Sequence, residues 1–145
     1  MVRAVVDTNI LIRALIKPHG TVGPILAQLA ANAYTLVYSQ PLLDELVEKL
    51  ALPRIRDKYG LDAQAIETTL ALLALRGELA HPTRVIRVCR DPDDNALIEA
   101  ALAGGAGYVV TGDEDLLVLK RFETVQIVTP RVFLAIRSGS GNTPS

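Results

Sequence analysis

Cysteine and histidine are nearly absent from the sequence. It holds one cysteine, Cys89, and two histidines, His19 and His81. A single cysteine excludes an internal disulfide and fits a reducing cytoplasm. So few Cys and His residues, without the ligand spacing of a zinc site, argue against bound zinc. Cys89 reads as a small buried hydrophobe and the histidines as surface groups. Long apolar runs are missing too. No stretch approaches the ~18 residues of a membrane span, and the opening MVRAVVDTN has an apolar run far too short for a signal peptide. Charge of one sign is also missing. Fifteen Lys and Arg stand against sixteen Asp and Glu, a net charge of −1, so no overall basic field announces nucleic acid.

What is present suits one globular domain. The chain has 145 residues, half of them hydrophobic, enough for a sizeable core. The domain is expected to span residues 1–137. The small polar tail SGSGNTPS, residues 138–145, is expected to be disordered. Two local basic clusters, Arg54, Arg56 and Lys58 and then Arg84, Arg87 and Arg90, are solvated surface or phosphate contacts.

Short apolar runs alternate with helix-length periodic segments. Strands are expected at 3–6, 35–39, 108–113 and 125–129, with a weak one at 85–88. Helices are expected at 9–16, 21–32, 41–50, 62–77, 93–103 and 130–136. This alternation, with non-alternating apolar strands, implies a three-layer α/β/α sandwich around a central, mostly parallel sheet. Ligands of such sheets bind beyond the carboxyl ends of the strands.

Acidic residues gather at that edge. VVDTN sets Asp7 directly after the first strand, and VVTGDED sets Asp113 and Asp115 after another. CRDPDDN, with Asp91, Asp93 and Asp94, follows the weak strand. Capping explains each acid alone: Asp91 as N-cap, Pro92 at the first helical position and Asp94 in the first turn suit a helix start. Capping does not explain why the caps gather at one sheet edge. In PLLDELVEKL the apolar stripe leaves Asp44 and Glu45 at its flanks, and geometry does not choose between them.

Several carboxylates cannot all stay ionised together without a compensating charge. Hard oxygen ligands suit Mg²⁺ or Mn²⁺. A carboxylate-held ion of this kind activates water and neutralises charge on a phosphate, so a phosphodiester is the natural substrate class. Arg13 and Lys17, on the helix that starts beside Asp7, are candidate contacts to a nucleic-acid backbone.

VVDTNILI, SQPLLDELVEKL and CRDPDDNALIEAALAGGAGYVVTGDEDLL together resemble the PIN-domain ribonucleases. Their order and spacing are most similar to the VapC-like branch, toxins of bacterial and archaeal toxin–antitoxin pairs. The resemblance covers residues 2–135. It implies a metal-binding and catalytic quartet of Asp7, Glu45, Asp94 and Asp113, with Asn9, Thr111 and Asp115 supporting it through hydrogen bonds. It selects Glu45 over Asp44. Counting back from the TGD loop without a gap would put Asn95 in the third place; Asp94 is preferred because an amide is the weaker metal ligand. It implies a Mg²⁺- or Mn²⁺-dependent endoribonuclease acting on RNA, a small antitoxin protein as partner, and, with the high apolar content, a homodimer, in the cytoplasm and away from membranes.

Two other enzyme classes fit less well. A haloacid-dehalogenase-type phosphatase wants a second Asp two residues after the first, where Asn9 stands. A receiver-like switch wants a Lys after a late strand, and VQIVTPR offers none directly. A non-catalytic RNA- or antitoxin-binding module is the remaining alternative, which the complete acid set disfavours.

Overall fold

Neighbouring residues in the central strands are buried in different layers. Ala4, Val6, Leu36 and Val110 belong to one hydrophobic cluster, and Val5, Val37 and Val109 to another. Side chains alternate across a strand, so a stretch buried on both faces must be apolar throughout, as AVV of residues 4–6 and LV of residues 36–37 are. The computed structural model describes residues 1–142.

The elements run β1 (Arg3–Val6), α1 (Thr8–Ile16), α2 (Gly23–Ala30), β2 (Thr35–Ser39), α3 (Gln40–Ala51), α4 (Pro53–Tyr59) and α5 (Ala63–Arg76). There follow β3 (Gly77–Ala80), α6 (Pro92–Gly104), β4 (Tyr108–Val110), α7 (Glu114–Leu117), β5 (Arg121–Phe122), β6 (Val125–Val128) and α8 (Pro130–Asn142). The sheet order is β3-β2-β1-β4-β6-β5. Every pairing is parallel except that of β5 with β6. Helices α1, α2 and α5, with Phe133 of α8, cover one face. Helix α6 and Leu116 of α7 cover the other. Leu42 of α3 packs into the second layer, while Leu46 and Leu50 pack into the first. The fold is thus an α/β/α sandwich. Among the described residues no helix is long and apolar enough to cross a membrane.

This order sets the place for chemistry. The chain winds outward from β1 to β2 and β3, and returns through α6 to β4 on the other side of β1. The strand order reverses between β1 and β4, and such folds bind ligands in the crevice beyond that point. Asp7 follows β1 there, its N–H donating to Val110 O of β4 at 2.9 Å.

The strand expected at 85–88 does not form. The third parallel position is taken by β3, whose Leu79 and Ala80 pair with Tyr38 and Ser39. The segment before α6 is a loop whose backbone is satisfied by α6 side chains. Glu99 Oε2 accepts the Ile86 N–H at 2.8 Å, and Asn95 accepts from Cys89 N–H at 2.9 Å and donates to Cys89 O at 3.1 Å. Only Ile86 of the run is buried; Val85 and Val88 are 72% and 47% exposed.

Other boundaries shift in smaller ways. Helix α4 was not expected from its charged sequence, nor were the short β5 and α7. Helix α6 ends as its two glycines suggest. A Cβ on Gly104 would stand 2.3 Å from Val37 Cγ1, and Gly105 adopts a left-handed φ of 65°. Helix α8 runs to Asn142, beyond the expected end at Ile136. Extending an existing helix adds a hydrogen bond for each residue fixed, so its last turns overlap the tail expected to be disordered. The remainder of that tail, 143–145, lies outside the described residues.

Candidate active site

Each acid enters the site through the start of a helix or along one. Asp7 is the N-cap of α1, and its Oδ1 accepts the Asn9 N–H at 3.0 Å. Its Oδ2 accepts the Thr111 hydroxyl at 2.9 Å. Asp113 caps α7, accepting the Asp115 N–H at 2.9 Å. Asp91 caps α6, accepting the Asp93 N–H at 2.9 Å. Asp94, two residues past Pro92, sits in the first turn of α6, where the helix dipole favours negative charge. Glu45 comes from the flank of α3.

These side chains meet. Asp7, Glu45, Asp94 and Asp113 line one cleft of about 340 Å³, together with Asp91 and Asp93. Ile10, Leu97 and Gly112 complete its walls, and Asn9, Arg13 and Lys49 face into it. Asp44, the alternative to Glu45, is exposed and accepts a bond from Gln40 Nε2 at 2.8 Å instead.

Asp94 is the most buried of the acids. It is 5% exposed, and its Oδ2 is buried without a hydrogen-bond donor. Burial, then the charge of the neighbouring Asp113, pushes its carboxyl up to about 7. Both groups are carboxyls, so with both ionised neither has a hydrogen to give the other. Asn95 takes no such position, because both ends of its amide are bonded to the backbone of Cys89. Asp93 is exposed at the rim, and its carboxyl is raised by burial and then by the charges of Glu45 and Asp91.

The supporting residues divide. Asn9 gives its N–H to Asp7 and receives Lys49 Nζ on its side-chain oxygen at 3.0 Å. Thr111 is fully buried and bonds Asp7 directly. Asp115 serves Asp113 through its backbone, while its carboxylate is held by Arg90 with both oxygens at 2.9 Å. Arg84 is paired with Glu123 at 2.8 Å. Two of the three arginines in the second basic cluster are therefore engaged within the chain. Lys17 lies at the far end of α1 and lines a neighbouring cavity with Arg13, not the acid cleft itself.

Lys49 lines the cleft and was not singled out from the sequence. Its ammonium lies 3.0 Å from Glu45 Oε1. The spacing of four between Glu45 and Lys49 on one helix was a signal for that pair, although it is also the spacing of many ordinary surface pairs.

A divalent metal fits the chemistry of this cleft: its acidic side chains are all oxygen donors, and the buried, donorless Asp94 Oδ2 suits a cation. Among the described residues, however, no three His, Cys, Asp or Glu side chains already stand in position to hold an ion. Ligation by three carboxylates therefore calls for side-chain rotation within the cleft.

Comparison with known proteins agrees with the fold. A family model described as a PIN domain matches residues 3–115. The uncharacterized protein MJ1680 of Methanocaldococcus jannaschii is 32% identical over 119 residues, which cover 82% of this chain and 76% of that protein.

Proposed function

The chain belongs to the PIN-domain family, and from that membership and its acid cleft we propose that it is a Mg²⁺- or Mn²⁺-dependent endoribonuclease. The fold is of nuclease type. The observation that carries the finer reading is the convergence of Asp7, Glu45, Asp94 and Asp113 on one cleft, with Asp94 presenting a buried oxygen that no hydrogen satisfies.

Asp7, Asp94 and Asp113 would hold the ion. When bound, it supplies Lewis-acid stabilisation of phosphoryl charge and eases deprotonation of water. The protein's own part is to gather the carboxylates at one cleft. The Asn9 N–H and the Thr111 hydroxyl fix both oxygens of Asp7. The Asp115 N–H fixes one oxygen of Asp113. These bonds keep the Asp7 and Asp113 carboxylates at the cleft, from which a small rotation is enough for ligation. Arg13 adds a cation on the cleft wall for a phosphate. The near-balance of charge over the whole chain disfavours tight hold on long duplex. Unpaired or looped RNA, whose backbone can bend toward a recessed site, is the better substrate.

The VapC-like order of the acidic motifs supports a narrower reading, in which the nuclease is the toxin of a toxin–antitoxin pair and forms a homodimer. Co-expression with the product of a small neighbouring reading frame, followed by a cleavage assay, tests that role.

The central test is incubation of the purified protein with pooled transfer and ribosomal RNA, with and without Mn²⁺. Metal-dependent cleavage at unpaired positions is expected, with loss of cleavage in Asp7→Asn at unchanged fold. Cleavage that persists in Asp7→Asn or in excess chelator overturns the reading.

A further inference from the structure

The acid cleft already contains a cation placed at one of its acids. Lys49 Nζ reaches three oxygens: Glu45 Oε1 at 3.0 Å, Asn9 Oδ1 at 3.0 Å and Thr8 Oγ1 at 3.3 Å. An ammonium has three hydrogens, and each has an acceptor. The Thr8 hydroxyl in turn donates to Glu45 Oε2 at 3.0 Å. Both oxygens of Glu45 therefore accept from groups of the chain itself, as those of Asp7 do, but of these two acids it is Glu45 that faces a full positive charge. Asp94, in the same cleft, has an oxygen with no partner.

This is more than a helix-surface pair. Lys49 and Glu45 are 30% and 21% exposed at their side chains. Lys49 is also bonded to two residues of α1, so its position is set from two elements. Its charge acts on the cleft, where it lowers the pull toward protonation at Asp93.

We propose that Lys49 is a positioning residue that serves as the resident cation on the α3 side of the cleft. By neutralising Glu45 it limits the cleft to a single divalent ion, held by Asp7, Asp94 and Asp113. A second divalent ion at Glu45 would have to displace the ammonium or lie against it, and like charges at that distance repel strongly. The inference rests on the metal-dependent reading above and refines it: Glu45 orients Lys49, and is not itself a ligand to the ion.

Calorimetric titration with Mn²⁺ alone tests this without reference to activity. Wild type should bind one ion per chain. Lys49→Met, which keeps the side chain's length and removes its charge, should reveal a second ion or tighten Mn²⁺ binding by about tenfold or more. Lys49→Arg retains the charge and should behave as wild type. A role limited to clipping α3 to α1 would change the melting temperature of Lys49→Met and leave its metal stoichiometry and affinity unchanged.

Glu45→Gln gives an independent check should Lys49→Met fold poorly. With Glu45 outside the ligand set, its Mn²⁺ affinity should change by less than about fivefold, as for loss of a partly exposed ion pair. A larger loss in Glu45→Gln overturns the proposal, as do two ions per chain in wild type, or unchanged stoichiometry and affinity in Lys49→Met. In those cases loss of binding in Asp7→Asn still upholds the metal site. Absence of Mn²⁺ binding by every variant overturns the metal reading, and this inference with it.

Discussion

The Thr111 hydroxyl donates to Asp7 Oδ2 at 2.9 Å and accepts the Asp113 N–H at 3.1 Å. One buried oxygen thus joins the acid after β1 to the acid after β4, across the point where the strand order reverses. Thr111→Val keeps the shape but can neither donate nor accept. It leaves a carboxylate oxygen and a backbone N–H without their partner. A loss of about 2–3 kcal/mol is expected in urea unfolding, with Mn²⁺ affinity down by about tenfold. Thr111→Ser retains the hydroxyl and should recover most of both. Wild-type stability in Thr111→Val would mean that the hydroxyl ties nothing together.

Asp94 makes stability depend on pH. Its carboxyl is pushed up to about 7, first by burial and then by Asp113. The folded chain therefore holds this proton more tightly than the unfolded chain, whose carboxyl titrates near 4. The stabilisation from protonated Asp94 is complete below the unfolded value and is lost as pH rises through about 7. In chelator, the melting temperature of wild type should fall between pH 6 and 8. Asp94→Asn should show a flatter profile there and melt at or above wild type at pH 8. A clear drop for Asp94→Asn at pH 8 would make Asp94 a structural anchor and move attention to Asp91 or Asp93.

The same proton should couple to metal. A carboxyl that is half protonated near neutrality must lose its hydrogen to become a ligand. Mn²⁺ affinity should rise between pH 6 and 8, and titrations in buffers of different ionisation enthalpy should report proton release. Affinity that is flat over that range, with no proton released, would remove Asp94 from the ligand set.

Asn95 should behave differently from its neighbour. Its amide holds both backbone groups of Cys89, closing the loop onto α6. Asn95→Ala should cost about 2 kcal/mol in denaturant unfolding. Asn95→Asp should also destabilise, because the new oxygen faces the Cys89 carbonyl. Mn²⁺ stoichiometry of folded Asn95→Ala should remain that of wild type; loss of the ion there would return Asn95 to the site.

The parts of this fold that could be read from sequence are those whose local pattern matches their final surroundings. RAVV, TLVYS, YVV and VQIV are short apolar runs, and each becomes a strand of the sheet. The acids after the first and third of these runs fall at the sheet edge because strand ends put them there. Local pattern misleads where remote partners decide. VIRV has the letters of a strand, yet Glu99 takes the Ile86 N–H and Asn95 holds both backbone groups of the adjoining Cys89. GELA has the place of a strand, yet buries only Ala80. Arg84 and Arg90 looked free until folding brought Glu123 and Asp115 to them. Lys49 drew no attention in the sequence, because nothing local shows that α1 supplies Thr8 and Asn9 to it.

Arg13 is the remaining test of how RNA would reach the acids. It lines the acid cleft and also both neighbouring cavities, one with Lys17 and Tyr59 and the other with Arg131. Among the described residues neither Arg13 nor Lys17 forms an ion pair, so both charges are available to phosphate. A phosphate contact releases counterions, and losing one should lower the slope of log affinity against log salt by about one. Arg13→Ala should therefore bind a single-stranded RNA more weakly, with a shallower salt dependence by fluorescence anisotropy, at unchanged Mn²⁺ affinity. Lys17→Ala, one cavity further from the acids, should show a smaller effect with short oligonucleotides and approach that of Arg13→Ala as the RNA lengthens. If Arg13→Ala matches wild type in both affinity and salt slope, the backbone enters the cleft by another side.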